Sequence, residues 1–279
     1  ETINPASGSV LTNVSACDKD DVNYAVEVSR RAFDSGEWSS KHPSERKLIL
    51  LKLAQLIEQN QTELAVLESL ESGKPISECV LTDLPETIVT IQWHAEAIDK
   101  IYDQVSPTND DAVGLITREP LGVVGCVLPW NFPLMMLAWK IAPALAGGNS
   151  VIVKPAEQTS MTALRIAELA SEAGILAGVL NVLPGEGPNV GEPMGRHQDI
   201  DAMVQEFARD RILPNAEAID KLDKELSLGL LREMGELGLI GVDTPEEYGG
   251  TELDKITSCI VMEGMARGGS PSFSCTFSV

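Results

Sequence analysis

Cysteine, histidine and aromatic residues are all scarce in these 279 residues. The five cysteines (Cys17, Cys79, Cys126, Cys259 and Cys275) lie far apart and form no CxxC pair. That argues against a zinc site or a disulfide framework and suits a reducing cytoplasm. The three histidines, His42, His94 and His197, make no ligand cluster, so no metal site is expected. Positive charge is also short: 21 Lys and Arg stand against 42 Asp and Glu, a net charge of −21. The acidic excess runs through both parts of the chain and leaves no basic patch for nucleic acid. No stretch of roughly 18 apolar residues occurs. The longest apolar region, near 120–153, is broken by Pro129, Asn131, Pro133, Lys140 and Pro143, so no membrane span is expected. No signal peptide is visible, which points to the cytoplasm. The first residue is Glu rather than Met, and an upstream start is expected.

What the chain does contain is a regular alternation between Pro120 and Gly187. Leu121-Gly-Val-Val-Gly-Cys-Val-Leu128 is short, apolar and β-branched, and reads as a buried strand. Pro129-Trp-Asn-Phe-Pro133 ends it, and Leu134 to Leu145 reads as a buried helix stopped at Gly147-Gly-Asn149. Ser150-Val-Ile-Val153 is a second strand, ended by Lys154-Pro-Ala-Glu157. An amphipathic helix follows to about Ala173, with Thr159 or Ser160 as its cap. Val179-Leu-Asn-Val-Leu183 is a third strand, ended by Pro184-Gly-Glu-Gly187. Crossovers of this length imply parallel pairing and right-handed connections.

Parallel strands bring their C-terminal ends to one sheet edge, where open α/β sheets bind ligands. Asn131, Lys154, Glu157 and Gly187 therefore converge on one crevice. Ordinary strand-ending turns use Pro, Gly and Asn as well. The residue types favour a ligand: a Lys and a Glu three apart suit a sugar and phosphate, and an Asn at a strand end donates to an oxyanion.

Four motifs carry a resemblance to a known family. They are Pro129-Trp-Asn-Phe-Pro133, Ala142-Pro-Ala-Leu-Ala-Gly-Gly-Asn149, Val153-Lys-Pro-Ala-Glu-Gln158 and Asn181-Val-Leu-Pro-Gly-Glu-Gly187. In this order and spacing they resemble an NAD(P)-dependent aldehyde dehydrogenase over residues 1–202. Glu119-Pro120 and Ile98-Asp-Lys-Ile-Tyr102 suggest the aminoaldehyde type. The resemblance implies that Asn131 helps bind the oxyanion of a thiohemiacetal, a contribution of about 3–4 kcal/mol to the transition state. It implies cofactor contacts from Leu128, Pro129 and Trp130, and ribose hydrogen bonds from Lys154 and Glu157. It implies that Gly187 and Gly191 let the backbone approach the adenine side. Cys126 reads as a packed thiol. Lys140, on the helix after the turn, either faces the aldehyde channel as in the family or snorkels.

The N-terminal region reads as helical support. Ile3 to Val14 is an extended lead. Asp18–Phe33, Pro43–Gln59, Thr62–Ser72 and Leu81–Ile101 read as helices with solvated charged faces. Tyr102–Val105 and Ala112–Arg118 alternate as two strands. They read as a surface hairpin; the family implies an arm that pairs with a neighbouring subunit.

Past Asn189 the resemblance weakens, and the strand, the Gly-Ser-Thr loop, the catalytic Glu and the catalytic Cys expected next do not follow. Residues 203–279 instead read as an all-α segment: Val204–Asp210, Ala216–Leu226, Leu228–Leu237 and Asp254–Ala266 are amphipathic. Phe207-Ala-Arg with Leu213-Pro, Pro245-Glu-Glu-Tyr-Gly-Gly250 and Glu263-Gly-Met-Ala-Arg267 resemble the N-terminal helical domain of an acyl-CoA dehydrogenase. Phe207 and Leu237 read as core. Cys275, Thr276 and Phe277 either border an acyl cavity or pack. In that family FAD is held mainly by later domains, so FAD is expected only if those are present.

The sequence thus predicts an α/β fold: a partial Rossmann-like parallel sheet with N-terminal helices (1–202), then an all-α segment (203–279). The join falls near Asp201–Val204 with no Gly/Ser or Pro-rich linker, as in a recombined or truncated reading frame. Three function classes follow. The first is an aldehyde-oxidising enzyme, which needs a nucleophile. The second is a weak NAD-binding module with a partial site and no turnover. The third is a fragment that pairs through the 102–118 arm.

Overall fold

The computed structural model describes residues 1–202. The helices expected between 204 and 266 and the acyl-cavity residues Cys275, Thr276 and Phe277 lie outside the described residues.

The chain opens with an antiparallel pair, β1 (Thr2–Ile3) and β2 (Val10–Thr12). Asp18 starts α1 (Lys19–Asp34) with a capping box: its carboxylate accepts from the Asp20 and Asp21 amides, and Asp21 accepts from the Asp18 amide. Next come α2 (Pro43–Gln59) and α3 (Gln61–Ser72). The fourth expected helix is longer than Leu81–Ile101. It runs through α4 (Ile76–Glu78), a π turn (Cys79–Asp83), α5 (Leu84–Ala97) and a 3-10 turn (Ile98–Lys100). Pro75 and Pro85 explain the misread boundary. Pro75 stands just outside the first turn, where a missing N–H costs little. Pro85 cannot donate, and the π turn before it widens the spiral, with the Leu84 amide donating to Cys79.

The two strands of the arm form as expected. β3 (Gln104–Ser106) pairs antiparallel with β4 (Gly114–Ile116), Gln104 opposite Ile116.

The sheet follows: β5 (Val123–Val127), α6 (Pro133–Ala146), β6 (Ser150–Lys154), α7 (Met161–Ala173), β7 (Leu180–Val182), a π turn (Gly187–Gly191) and α8 (Glu192–Arg196). The strands are parallel in the order β5-β6-β7, with Val127 opposite Lys154 and Val151 opposite Leu180. All five residues of β6 are buried, as a strand covered on both faces must be. Its side chains alternate: Val151 and Val153 join the core built by α2, α5, α6 and α7, and Ile152 joins Val22, Val26, Val123 and Met194 under α1.

The other side of β5 is occupied too. Ala202 bridges Val124 in parallel, and the Asp201 amide donates to the Val123 carbonyl at 2.9 Å. The Asp201 carboxylate accepts from the Val123 amide at 2.7 Å and pairs with Arg30 of α1. Chain order therefore reverses at β5, which makes its C-terminal end the switch point of the sheet. The sequence reading placed only the join here.

Buried polar groups fasten α6. The Arg46 guanidinium, nearly buried in α2, donates to the Ala146 carbonyl at its C-terminal end and to the carbonyls of Ser39 and Lys41. Asn149 accepts from the Leu121 and Gly122 amides at 2.7 and 3.0 Å and donates to the Ala144 carbonyl at 3.0 Å. One amide thereby ties the exit of α6 to the entry of β5.

Gly178, before β7, has φ +85°, and an added Cβ would stand 3.0 Å from Ala32 and from Val28 of α1. Gly178→Ala combines a left-handed backbone with overpacking and is expected to cost about 2–4 kcal/mol. Urea unfolding at pH 7 checks this; a variant within about 0.5 kcal/mol of wild type, the usual scatter of neutral substitutions, contradicts the packing described.

Candidate functional site

The site lies where β5 and β6 end. The Leu128 amide donates to the Lys154 carbonyl at 2.9 Å, so the two strand ends are tied by backbone before either turn begins. Leu128 is buried, while Trp130, Asn131 and Phe132 are exposed. Pro133 is the first residue of α6, where its ring suits the helix and its missing N–H is not needed. Lys140 does not snorkel. It is buried, and its ammonium donates to the Val127 carbonyl at 2.6 Å, bracing the end of β5 from within.

Below the turn sits a buried charged group. Glu68 of α3 accepts from the Leu134 amide at 3.5 Å, in the first turn of α6. Asp83 pairs with Lys74, whose ammonium lies 4.0 Å from the centre of the Phe132 ring. Burial, then the Asp83 charge, push the Glu68 carboxyl up to about 8, against the opposing pull of the Leu134 amide and Lys74.

At the end of β6, Lys154 is 3 % exposed and its ammonium lies 2.8 Å from Glu157 Oε2. The Glu157 side chain is 47 % exposed. Partial burial pushes the Glu157 carboxyl up. The Lys154 hydrogen bond, its own backbone N–H and the Lys154 charge together pull harder, so the carboxyl titrates below its ordinary value. The helix that follows is not capped as expected. Ser160 is the N-cap residue but makes no side-chain cap bond, and the Thr159 and Ser160 hydroxyls are buried without a hydrogen-bond partner among the described residues. Glu71 of α3 does that work instead: its carboxylate accepts from the Met161 amide at 2.7 Å, the Thr162 amide at 3.1 Å and the Thr162 hydroxyl. A carboxylate with two backbone amides and the helix dipole outcompetes a neutral hydroxyl.

After β7, Gly187 and Gly191 bound the π turn. Neither has a positive φ, and a Cβ on either would meet nothing within 4 Å. Among the described residues nothing requires glycine there. Gly185 differs: its Cβ would lie 2.5 Å from Val190, which makes it a packing glycine.

The structure thus joins Lys154 with Glu157, and with Leu128 through the backbone. Asn131, Gly187 and Gly191 lie on separate turns leaving the same edge of the sheet. A cleft of about 530 Å³ beside α8, lined by Lys19, Asn23, Glu192 and Arg196 among others, includes none of these residues. Among the described residues, no group of three or more His, Cys, Asp and Glu is placed to hold a metal ion, and no helix is long and apolar enough to cross a membrane.

Fold and site together define an α/β protein with a parallel sheet, helices packed on it, and a candidate site where its strands end. Comparison with known proteins carries this to a family. The aldehyde dehydrogenase family profile matches residues 1–205, and that of the acyl-CoA dehydrogenase N-terminal domain matches residues 195–279. The chain belongs to the aldehyde dehydrogenase family. It is 64% identical over 201 residues to an aminoacetaldehyde dehydrogenase of Pseudomonas aeruginosa, covering 72% of this chain and 40% of that protein. It is 45% identical over 204 residues to the NADP/NAD-dependent aldehyde dehydrogenase PuuC of Escherichia coli, covering 73% and 41%. An indole-3-acetaldehyde dehydrogenase solved with NAD+ superposes with a TM-score of 0.71 at 53% identity, covering 71% of this chain and 40% of that one. The chain spans about two fifths of the length of these relatives.

Proposed function

We propose that residues 1–202 carry the adenosine-binding part of an NAD crevice, and that the 279-residue chain binds NAD weakly, prefers it to NADP and does not turn over an aldehyde. The observation that carries this reading is the Lys154–Glu157 pair at the end of the central strand. Glu157 is ionised and half-exposed, so it accepts from a ribose hydroxyl and repels a 2′-phosphate. Lys154 is already neutralised by Glu157 and offers a phosphate little attraction. The open space at Gly187 and Gly191 fits the adenine side. Leu128, Pro129 and Trp130 supply backbone and ring surface on the opposite wall. Asn131 is the donor for an aldehyde-derived oxyanion, by family resemblance. When bound, NAD supplies the electron acceptor for aldehyde oxidation.

Three further expectations belong to this proposal. The β3–β4 arm pairs with a neighbouring subunit, which its exposed Val105, Leu115 and Ile116 favour. The acyl-CoA dehydrogenase-like segment takes FAD only together with downstream domains. The chain works in the cytoplasm.

Calorimetric titration of the purified chain tests the reading. NAD is expected to bind in the millimolar range, about 4 kcal/mol, and NADP more weakly. Glu157→Ala is expected to weaken NAD and to relieve the repulsion of NADP, so the preference shrinks. Tighter binding of NADP to wild type, or an unchanged preference in the variant, contradicts the proposal. Because PuuC is named for both cofactors, family membership alone does not decide the result.

A further inference from the structure

The turn that carries Glu157 is held at its two ends by different means. Its first end is Lys154, the last residue of a fully buried strand in register with β5. Its second end is the start of α7, where neither local hydroxyl caps the helix. The three bonds that fix it there all go to one side chain, Glu71, which comes from α3 some 90 residues earlier and is 2 % exposed. Between these anchors Glu157 is held by Lys154.

We propose that Glu71 is a positioning residue for cofactor choice: by clamping the N-terminus of α7 it fixes where the Glu157 carboxylate stands, and so sets the discrimination between NAD and NADP. The proposal rests on the crevice reading above and deepens it. Glu71 touches neither ribose nor phosphate. Its effect passes through the Met161 and Thr162 amides, along four residues of turn, to Glu157. The effect is selective. Lys154 is fastened by β6 and keeps its place without Glu71, whereas Glu157 then keeps only its bond to Lys154 and the Thr159–Ala156 bond of its turn, and loses the fixed far end of that turn. Loss of Glu71 should therefore change discrimination more than it changes the attraction common to both dinucleotides.

Two variants of the full chain test this: Glu71→Gln, which keeps one acceptor oxygen and removes the charge, and Thr162→Val, which removes only the hydroxyl bond and leaves Glu71 in place. Amide hydrogen exchange at residues 157–162 and titration with NAD and NADP are measured on both, below their unfolding temperatures. Glu71→Gln is expected to expose the Met161 and Thr162 amides to exchange. It should also reduce the NAD-over-NADP ratio by about tenfold. Thr162→Val is expected to move both in the same direction by less. If Glu71→Gln does not fold, Thr162→Val carries the test. An unchanged ratio in folded variants of a wild type that does discriminate overturns the proposal, as does unchanged exchange at 157–162. If wild type binds neither dinucleotide, the crevice reading falls and takes the cofactor role with it, whatever the exchange shows.

Discussion

Glu68→Gln is expected to make the protein more stable in alkaline solution and to leave it unchanged in acid. Glu68 is fully buried, and its Oε2 has no hydrogen-bond partner among the described residues. Its carboxyl titrates near 8 in the fold, raised first by burial and then by Asp83, against an ordinary value of 4.5. Between those values the folded chain holds a proton that the unfolded chain has released, so stability falls as the pH rises through this window. Below about 4.5 both states are protonated and the residue costs nothing electrostatic. Above about 8 the fold carries a buried carboxylate, at a cost of up to roughly 5 kcal/mol. Glutamine keeps the shape and an acceptor for the Leu134 amide, and it carries no charge. The pairing of Lys74 with Asp83 survives the change. Urea unfolding at pH 4, 7 and 9 should give nearly coincident curves at pH 4 and a widening gap up to about pH 8, the variant the more stable. Parallel pH dependences for the two proteins would sink the assignment of Glu68 as a buried acid.

The 279-residue chain is expected to oxidise no aldehyde with NAD and no acyl-CoA with FAD. In the family that the chain belongs to, aldehyde oxidation starts with a thiolate that must reach the carbonyl carbon within about 3–3.5 Å. Among the described residues there are three cysteines. Cys17 is pushed up by burial and by Asp21 and Asp18. Cys79 is pushed up to about 11 by burial and by the Glu68 and Asp83 charges, against the pull of Lys74. Cys126 is buried in β5, on the strand side of the turn rather than on the turn. The settings of Cys17 and Cys79 disfavour a thiolate. Cys259 and Cys275 lie outside the described residues, in the segment matched by the acyl-CoA dehydrogenase profile. The assay uses purified protein, NAD and a panel of aminoaldehydes, then FAD with an acyl-CoA and an electron acceptor. Turnover above that of Asn131→Ala in the first, or flavin reduction in the second, would show that a nucleophile or base has been overlooked.

The sheet was legible because its signals are local. Short β-branched runs between Pro- and Gly-rich turns produced β5, β6 and β7 within two residues, and the parallel order follows from the connection lengths. Lys154 and Glu157 were legible as a pair because three residues of turn bring them together. The supports beneath them were not read, because each acts across a large sequence separation. Glu68 and Glu71 looked like part of a solvated charge run. Yet Leu64, Glu68 and Glu71 stand at i, i+4 and i+7, which places both glutamates on the buried stripe of α3. That spacing was the available signal. Lys140 was left open between the aldehyde channel and snorkelling for a related reason: on a nearly all-apolar helix these and an internal acceptor read alike in sequence, and the fold shows it donating to the Val127 carbonyl. The Ala202 bridge was hidden at the join, where the periodicity of the strand has no room to show itself.

The long reach of α3 also bears on the order in which the protein assembles. The first turns of α6 and α7 find their carboxylates 66 and 90 residues upstream. Contacts of such span form late, because the intervening chain must be ordered before they close. During synthesis, however, α3 leaves the ribosome first and is waiting when each later helix emerges. Vectorial synthesis therefore offers a docking surface to α6 and then to α7, while refolding from denaturant must find both at once. Refolding from denaturant should accordingly show a kinetic phase that α3 substitutions lengthen.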